Sequence, residues 1–292
     1  MRGMFAESMS IGDAIAWGTS LLDESDSIPA ARSRSDAIFL LRHVLGIPHA
    51  EMYAYRERPL TALQTEAFNA HLQQRLRGVP VQYIIGEQEF FGLPFHVTRD
   101  VLIPRPETEH LVEAAIARLK DLPAPRILDV GTGSGAIAVA LAHSLPTAEV
   151  VALDISAAAL AVATQNAKQN GVAARVRVVE SDLVAAVAHE RFDAIVSNPP
   201  YVANSERKSL PAEVREYEPA QALFAGPTGL EVYRRLIPDA LTLLVSGGWL
   251  MMEIGLGQRD AVGALLQDAD WDGMEFIADL QSIPRVVIVR KR

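Results

Sequence analysis

The sequence contains no cysteine at all. Disulfide bonds, thiolate zinc sites and a cysteine nucleophile are therefore excluded, and we expect the protein to work in a reducing, cytoplasmic compartment. Long apolar runs are also missing, because stretches such as 136–142 and 241–245 fall far short of the roughly 20 residues that span a bilayer. The first residues carry no long apolar stretch and no small-residue cleavage site, so we expect neither a secretory signal nor a membrane partner.

Basic residues are in short supply, with 27 lysines and arginines against 36 acidic residues and a net charge of −9. A protein that grips duplex phosphates usually carries a basic surface, so this balance weighs against nucleic acid as a direct partner. The seven histidines are scattered, and no P-loop, EF-hand or nucleophile-elbow motif is present, so we expect no metal site. The length of 292 residues and the 49% apolar content are typical of a globular protein of about two domains.

Apolar periodicity divides the chain into a helical domain and an α/β domain joined by a hairpin linker. The three parts are 1–85 (helical), 86–100 (hairpin) and 101–292 (α/β). In the first part, helices are predicted at 10–22, 35–45 and 61–77, the last with a capping box of Thr61 and Gln64. Its eight arginines and nine acids leave this part nearly neutral, which indicates a docking domain for a protein partner.

Short Val- and Ile-rich runs alternate with helical stretches in the rest of the chain, as is typical of a parallel α/β sheet. The runs that we predict as strands are 126–130, 149–154, 175–180, 192–197, 248–254 and 286–290. Residues 202–228 show no sustained period and are too long for an ordinary connection, so we interpret them as a functional loop.

A glycine-rich turn follows the first of these strands. Its residues are Gly131, Thr132, Gly133, Ser134 and Gly135, a helix is predicted at 136–145, and Asp154 ends the next strand. The glycines permit a tight turn and close approach of a ligand, the helix N-terminus offers free N–H groups, and the acid can accept hydrogen bonds from ribose hydroxyls. The G-x-G-x-G spacing fits a nicotinamide cofactor or S-adenosylmethionine and does not choose between them.

A second motif, Asn198, Pro199, Pro200 and Tyr201, follows the strand at 192–197. Ligands of open α/β sheets bind at the carboxyl ends of the strands, so we expect this tetrapeptide and the glycine loop to face one crevice. The prolines remove two backbone donors, which leaves the Asn198 side-chain oxygen and the Pro199 carbonyl as acceptors beside the ring of Tyr201. A rigid pair of acceptors beside an aromatic ring suits a planar NH2 group.

Together, the two motifs resemble those of class I S-adenosylmethionine-dependent N-methyltransferases. Over nearly all of residues 30–292 the chain is similar to one family of them, the release-factor glutamine N5-methyltransferases (HemK/PrmC family). The segments that carry the likeness are 78–86, 90–92, 102–108, Glu218-Pro219 with Ala222-Leu223, and 253–255 with Gln258. The resemblance implies a Rossmann-like class I methyltransferase domain, with a mostly parallel sheet flanked by helices, and a small N-terminal helical domain.

The resemblance also implies a reaction. Family members transfer a methyl group from S-adenosylmethionine to the glutamine amide in the Gly-Gly-Gln motif of peptide-chain release factors, and so act in translation termination. We expect such an enzyme here, working as a monomer. The Pro104-Arg105-Pro106 turn matches a family segment and is interpreted as a lid over the cofactor, with Glu218-Pro219 at the substrate entrance.

Roles for single residues follow from the same resemblance. The loop residues Gly131, Thr132, Gly133, Ser134 and Gly135 would line the methionine part of the cofactor. Asp154 would hold its ribose, and the stretch Ser181, Asp182 and Leu183 would flank its adenine. Asn198, Pro199, Pro200 and Tyr201 would hold the target glutamine as the catalytic and substrate-binding residues, with Asn198 also at the cofactor. Leu183 departs from the family pattern, which often has an aromatic residue there, and so loses ring stacking worth about 0.5–1.5 kcal/mol.

Three other functions use similar motifs. A DNA adenine N6-methyltransferase grips an exocyclic amine in the same way, but it needs base flipping and a basic cleft, against which the net charge of −9 argues. A related enzyme methylates a glutamine of a ribosomal protein, and the segment 103–108 favours the release-factor branch by resemblance. A nucleotide-binding module without catalysis has no use for the acceptor pair.

Overall fold

The computed structural model describes residues 9–25, 28–267 and 270–292. Contacts divide the described chain into two units. The first unit runs to Gly86 and includes the separate segment Pro211–Tyr217, and the second consists of Glu87–Leu210 and Glu218–Arg292. The predicted hairpin linker therefore groups with the second unit, and a short piece of the long loop groups with the first.

Helices and strands take up most of the described chain. The α-helices are α1 (Ile11–Asp23), α2 (Ala30–Leu45), α3 (His49–Ala54), α4 (Ala62–Leu76), α5 (Val81–Ile85), α6 (Glu109–Leu119), α7 (Ala136–Ser144), α8 (Ala157–Gln169), α9 (Ala212–Tyr217), α10 (Ala220–Leu223), α11 (Glu231–Leu243) and α12 (Arg259–Leu265). The strands are β1 (Glu87–Phe90), β2 (Leu93–His96), β3 (Arg126–Val130), β4 (Glu149–Asp154), β5 (Val176–Glu180), β6 (Phe192–Ser197), β7 (Val202–Ala203), β8 (Phe224–Gly226), β9 (Leu244–Glu253), β10 (Trp271–Ala278) and β11 (Pro284–Lys291). Short 3-10 turns lie at Pro106–Thr108, Ala185–Val187 and Asn204–Lys208.

Polar caps start two helices of the first unit, α1 and α4, whereas α2, α3 and α5 follow prolines. Thr61 and Gln64 form the predicted capping box at the start of α4, and Ser10 forms a second one at the start of α1. Helix α2 begins at Ala30, five residues before the predicted start, because the segment before Ser35 has few apolar residues to mark a buried face. The core of this unit includes the fully buried side chains of Ile11, Leu22, Leu40, Leu41, Phe68 and Leu72.

Helix α9, which belongs to the predicted loop 202–228, is held in the first unit by a buried arginine. The Arg75 guanidinium lies 2.7 Å from Asp36 and 3.1 Å from Glu213, and Arg32 also pairs with Glu213. The same stretch of chain contains β7, a 3-10 turn, α10 and β8. The prediction of one irregular loop at 202–228 is therefore wrong for the backbone: the elements are too short to produce a readable apolar period.

The second unit contains a seven-stranded sheet in the order β10-β11-β9-β6-β3-β4-β5. Five neighbouring strands, from β9 to β5, run parallel, and β11 and β10 add an antiparallel edge. Strands β3, β4 and β6 have the predicted bounds. The strand order reverses at β3, and at such a point an open α/β sheet forms a crevice beyond its carboxyl ends. The Rossmann-like, mostly parallel sheet flanked by helices is confirmed.

Each face of the sheet is covered by its own apolar cluster. One cluster includes α6, α7 and the β1–β2 hairpin, which contributes Phe90 and Phe95, and the other includes α11 and α12. Successive residues of β3 alternate between the clusters, so that Ile127 packs in the first and Leu128 in the second. Every helix in the described ranges is too short or too polar to cross a membrane.

Candidate functional site

A cavity of about 420 Å³ lies in the second unit at the carboxyl ends of β3, β4 and β6. This volume is in the range of pockets that hold small ligands and cofactors. Its wall contains eight of the residues predicted to bind the cofactor or substrate, which are Gly131, Gly133, Asp154, Ser181, Asp182, Leu183, Asn198 and Pro200. The structure thus brings the glycine loop and the asparagine of the second motif to one crevice, as their positions after parallel strands predict.

The glycine loop has backbone angles that residues other than glycine adopt poorly. Gly131 and Gly133 have φ angles of 75° and 55°, in the left-handed region, and a Cβ at either position meets no atom within 4 Å. Open space at both positions means that the backbone itself faces the cavity. The amide of Gly133 donates to Asp154 over 2.9 Å, and the amides of Gly131 and Thr132 donate to the Leu153 carbonyl.

Three predicted loop residues support the loop from behind and are not among the described residues of the cavity wall. Thr132 is buried and donates its hydroxyl to Asp129 over 2.6 Å, while the carbonyl of Ser134 accepts from the Asn166 side chain over 2.8 Å. Gly135 starts α7 at φ 81°, and a Cβ there would lie 3.1 Å from the Cβ of Ala163 in α8. These contacts fix the loop and the start of α7, and a contact of the three residues with the cofactor stays a prediction.

Asp129, at the end of β3, is the buried acid of this loop. Its side chain accepts from Thr132 and from the amide of Ala138 in α7, over 2.6 and 3.2 Å. Burial raises the pKa of this carboxyl to about 7, although both hydrogen bonds oppose the shift. The sequence places Asp129 in the motif, but its burial is a property of the fold.

The Asp154 carboxylate accepts from two backbone amides and keeps room for a ligand. One carboxylate oxygen accepts from Gly133, and the other accepts from the amide of Ser156 over 2.9 Å. Each oxygen has a further lone pair, so the group can hold the loop and still accept from a ligand hydroxyl. The sequence predicted the contact with a ligand hydroxyl but not the contacts with the backbone.

The far end of the cavity contains Asp182 and Leu183, and it also has apolar residues that the sequence analysis missed. Asp182 pairs with Arg235 over 2.8 Å, and Leu183 adopts an unusual φ of 49°. The cavity wall also includes Ile155, whose exposure is 53%, and the ring of Phe224. Ile155 directly follows Asp154, so its place was readable from the motif, whereas Phe224 lies in the stretch predicted as an irregular loop.

The predicted lid and entrance segments are joined by an ion pair. Arg105, from the Pro-Arg-Pro turn, lies 2.5 Å from Glu218, whose side chain is buried. The neighbouring Pro219 and Leu102 both line the cavity. The pair therefore ties together two chain segments that form the cavity wall.

Asn198 connects the cavity to a buried chain of hydrogen bonds. Its side-chain Nδ2 donates to the Thr108 hydroxyl over 3.0 Å, and that hydroxyl donates to Glu253 over 2.5 Å. The other Glu253 oxygen accepts from the Tyr201 hydroxyl over 3.3 Å. With Nδ2 in use, the oxygen of the Asn198 amide stays available as an acceptor.

Burial shifts the pKa values of two groups in this series of hydrogen bonds, Glu253 and Tyr201. It raises the pKa of Glu253 to about 7, against the hydrogen bonds from Thr108 and Tyr201, and burial with the nearby Glu253 raises the pKa of Tyr201 above its ordinary value. Tyr201 and Pro199 are not in the described cavity wall. Thr108 and Glu253 lie within the family segments, but the sequence reveals no role for either, because they are 145 residues apart and share no local pattern.

Two family models match this chain. The model described as "Methyltransferase small domain" matches residues 108–214, and the one described as "PrmC N-terminal domain" matches residues 13–86. Among solved structures, a methyltransferase from Pyrococcus furiosus superposes with a TM-score of 0.51 at 19% identity, over 69% of this chain and 90% of that one. At this identity the likeness shows the fold alone.

Curated relatives extend the match to almost the full length. A release factor glutamine methyltransferase of Koribacter versatilis is 41% identical over 93% of this chain and 96% of the relative. A protein of the same name from Geobacter sulfurreducens is 40% identical over 96% of both chains. Identity at this level over whole chains, with both family models in place, shows that the chain belongs to the family of release factor glutamine methyltransferases.

Proposed function

We propose that this enzyme transfers a methyl group from S-adenosylmethionine to the side-chain amide nitrogen of the glutamine in the Gly-Gly-Gln motif of peptide-chain release factors. One observation carries the proposal: Asn198, with its amide oxygen available as an acceptor, lines the same cavity as the glycine loop. The names of its relatives support the substrate, since they act on a release factor glutamine.

The cavity fits S-adenosylmethionine in size and in chemistry. Gly131 and Gly133 expose backbone to a methionine moiety, Asp154 offers acceptors to ribose hydroxyls, and Leu183 and Ile155 offer apolar surface to a base. Phe224 also lines the cavity, so an aromatic residue is present there although position 183 is a leucine. When bound, this cofactor supplies a methyl group already activated by the positive charge on sulfur.

Positioning is the main task of the protein in this reaction. A carboxamide nitrogen is a poor nucleophile, and holding it in line with the methyl group supplies about 7–11 kcal/mol in well-oriented reactions. In our proposal, Asn198 Oδ1 and the Pro199 carbonyl accept the two N–H groups of the glutamine amide. Both hydrogen bonds strengthen as positive charge develops on nitrogen, so they stabilise the transition state more than the substrate.

The N-terminal unit is the part that we propose to dock the release factor. It matches the PrmC N-terminal domain, it is nearly neutral in charge, and it exposes the rings of Phe39, Tyr53 and Tyr55. Exposed aromatic residues of this kind are enriched in protein interfaces.

Mapping of the modified residue tests the proposed function. Purified release factors are mixed with the enzyme and isotope-labelled S-adenosylmethionine, and the product is digested and analysed by mass spectrometry. Label on the Gly-Gly-Gln glutamine is expected. Parallel reactions with ribosomal proteins and with DNA cover the alternatives, and label confined to either of these would show that the proposed substrate is wrong.

Asp154 gives the sharpest test of the cofactor site. Asp154→Ala removes acceptors for a ribose, one hydrogen bond to the glycine loop at Gly133 and one to the amide of Ser156, so binding of S-adenosylhomocysteine should weaken by roughly 1.5–3 kcal/mol or more. Calorimetry measures this loss. Asp182→Ala is the matched control for a charged residue of the cavity wall, and its exposed pair with Arg235 leads us to expect a smaller loss. Tight binding of a nicotinamide dinucleotide instead would contradict the assignment.

A further inference from the structure

Behind Asn198 lies a carboxyl group that has no part in the reaction as described so far. Glu253, at the end of β9, has 3% of its surface exposed, and Thr108, at the end of the Pro106–Thr108 turn, has 4%. The Thr108 hydroxyl stands between the Glu253 carboxylate and the Asn198 amide, at 2.5 and 3.0 Å. Through this hydroxyl, the buried ionisable group of Glu253 can influence the amide that we propose to bind the substrate.

The chemistry of these three groups fixes the direction of each hydrogen bond. An ionised carboxylate can only accept, so the single hydroxyl hydrogen of Thr108 goes to Glu253. The short distance of 2.5 Å between the two oxygens agrees with a charge-assisted bond. The Thr108 oxygen can then only accept from Asn198, which must present its NH2 end to Thr108 and keep its oxygen for the substrate.

Protonation of Glu253 removes this constraint. A neutral carboxyl can donate to the Thr108 oxygen, and the threonine hydrogen is then free to turn towards Asn198. The Asn198 amide would rotate to accept it, and its NH2 end would meet the N–H groups of the target glutamine. Two donors facing each other cannot form the hydrogen bond on which orientation depends.

We infer that Glu253 and Thr108 are positioning residues. The direction of their hydrogen bonds determines whether the oxygen or the NH2 end of the Asn198 amide meets the substrate. This inference rests on the proposed function, in which Asn198 accepts from the glutamine amide. The same carboxylate also accepts from the Tyr201 hydroxyl, so one group holds both ends of the segment 198–201.

The surroundings of Glu253 determine the pH at which the inference can be tested. Burial raises its pKa to about 7, the positive charge of Arg285 opposes that shift, and the negative charge of Glu107 adds to it. The hydroxyls of Tyr201 and Tyr233 also face it, the first on the side chain and the second on the backbone carbonyl at 2.9 Å. Methyl transfer should therefore fall as the pH drops through about 7, because the ionised form holds Asn198 correctly.

Kinetics of matched Thr108 variants form the first test. Thr108→Ser keeps the hydroxyl, whereas Thr108→Val has the same shape without it, so the serine variant should keep most of kcat and the valine variant should lose about tenfold to a hundredfold. The KM for S-adenosylmethionine should stay the same in both, which distinguishes misorientation of Asn198 from general damage to the fold. Equal kcat values for the wild type and the valine variant, or equal losses in both variants, would overturn the inference.

Two pH-dependent measurements complete the test. Glu253→Gln has no charge to lose, so its kcat should lack the acid limb that the wild type shows near pH 7. In the absence of substrate, the side-chain amide resonance of Asn198, identified by its loss in Asn198→Asp, should titrate near pH 7 in the wild type and stay constant in Glu253→Gln. A resonance that titrates in an enzyme that does not methylate release factors would support the inference and contradict the proposed function. Active enzyme with a resonance that does not titrate would contradict the inference alone.

Discussion

Asn198 is the residue at which the cavity and the buried interior of the second unit meet. Its amide oxygen is available to a ligand while its nitrogen is held by Thr108. Replacement by alanine removes one of the two acceptors that we propose to orient the target amide, and the loss of one such preorganised partner should lower kcat about 10²–10³-fold. Steady-state kinetics should show this loss, and binding of S-adenosylhomocysteine should change little, since Gly133 and Asp154 keep their contacts.

Asn198→Asp separates acceptance from orientation. An aspartate keeps acceptor oxygens, but it cannot donate to the Thr108 hydroxyl. It also places a negative charge near Glu253, from which only the Thr108 hydroxyl separates it. The hydrogen bond from Asn198 to Thr108 therefore leads us to expect that the aspartate variant is no more active than the alanine variant. Clearly higher activity of the aspartate variant would show that an acceptor alone is enough.

Asp129 provides a pH-dependent test of stability. Burial raises its folded pKa to about 7 from an ordinary 3.8, so the folded protein binds a proton over this range more tightly than the unfolded chain does. The stabilisation is complete below about pH 4 and is lost as the pH rises through 7, a change of up to about 4 kcal/mol for about three pKa units. Asp129→Asn lacks this proton, so its stability relative to the wild type should improve from pH 5 to pH 8, as measured by urea unfolding without cofactor. Parallel pH curves for the two proteins would show that Asp129 is not protonated in the fold.

At the scale of elements, the strands that surround the site were the most predictable part of the chain. β3, β4 and β6 are short apolar runs bounded by glycine, proline or charged residues, and their bounds follow from the sequence. The start of α2 and the pieces within 202–228 were missed, because these elements bury too small or too irregular a face to produce a period. Helix α9 in particular depends on Arg75, which is far away in the sequence.

In the site, too, local motifs can be read from the sequence whereas contacts between distant residues cannot. The glycine loop and the segment 198–201 are local motifs, so the sequence reveals them and the sheet topology brings them together. The Thr108–Glu253 contact joins residues 145 positions apart, and only the fold creates it. Thr132, Ser134 and Gly135 also make contacts within the fold, which spacing alone does not reveal.

The junction of α7 and α8 can be tested with a matched pair of glycine variants. Gly135 and Gly171 both have positive φ angles, 81° and 71°, but a Cβ at Gly135 would lie 3.1 Å from Ala163 while a Cβ at Gly171 meets nothing within 4 Å. Both alanine variants should lose about 1–2 kcal/mol through the left-handed backbone. Gly135→Ala should lose more, because α7 must shift away from α8, and it should also weaken binding of S-adenosylhomocysteine. Equal unfolding free energies for the two variants would show that the helices do not need this glycine for packing.

At the scale of the whole molecule, the charge distribution favours the protein substrate that we propose over a nucleic acid. The chain has a net charge of −9, its first 85 residues contain no lysine, and two of their arginines, Arg32 and Arg75, are paired with Glu213. The eight arginines of this part are matched by nine acidic residues, and this near-neutral balance agrees with the docking surface of apolar and neutral polar contacts that we propose.

The salt dependence of methylation should reflect this charge distribution. A protein that neutralises six to ten phosphates loses about 10³–10⁵ in affinity between 50 and 200 mM salt. Surface ion pairs between proteins contribute only about 0–1 kcal/mol each, so the KM for intact release factor should rise by less than about tenfold over that range. The KM for S-adenosylmethionine, measured in the same series, controls for effects of salt on the catalytic unit. A steep rise in the release-factor KM with a constant cofactor KM would indicate that docking depends on many charges, and the N-terminal unit would then need a different partner surface from the one proposed here.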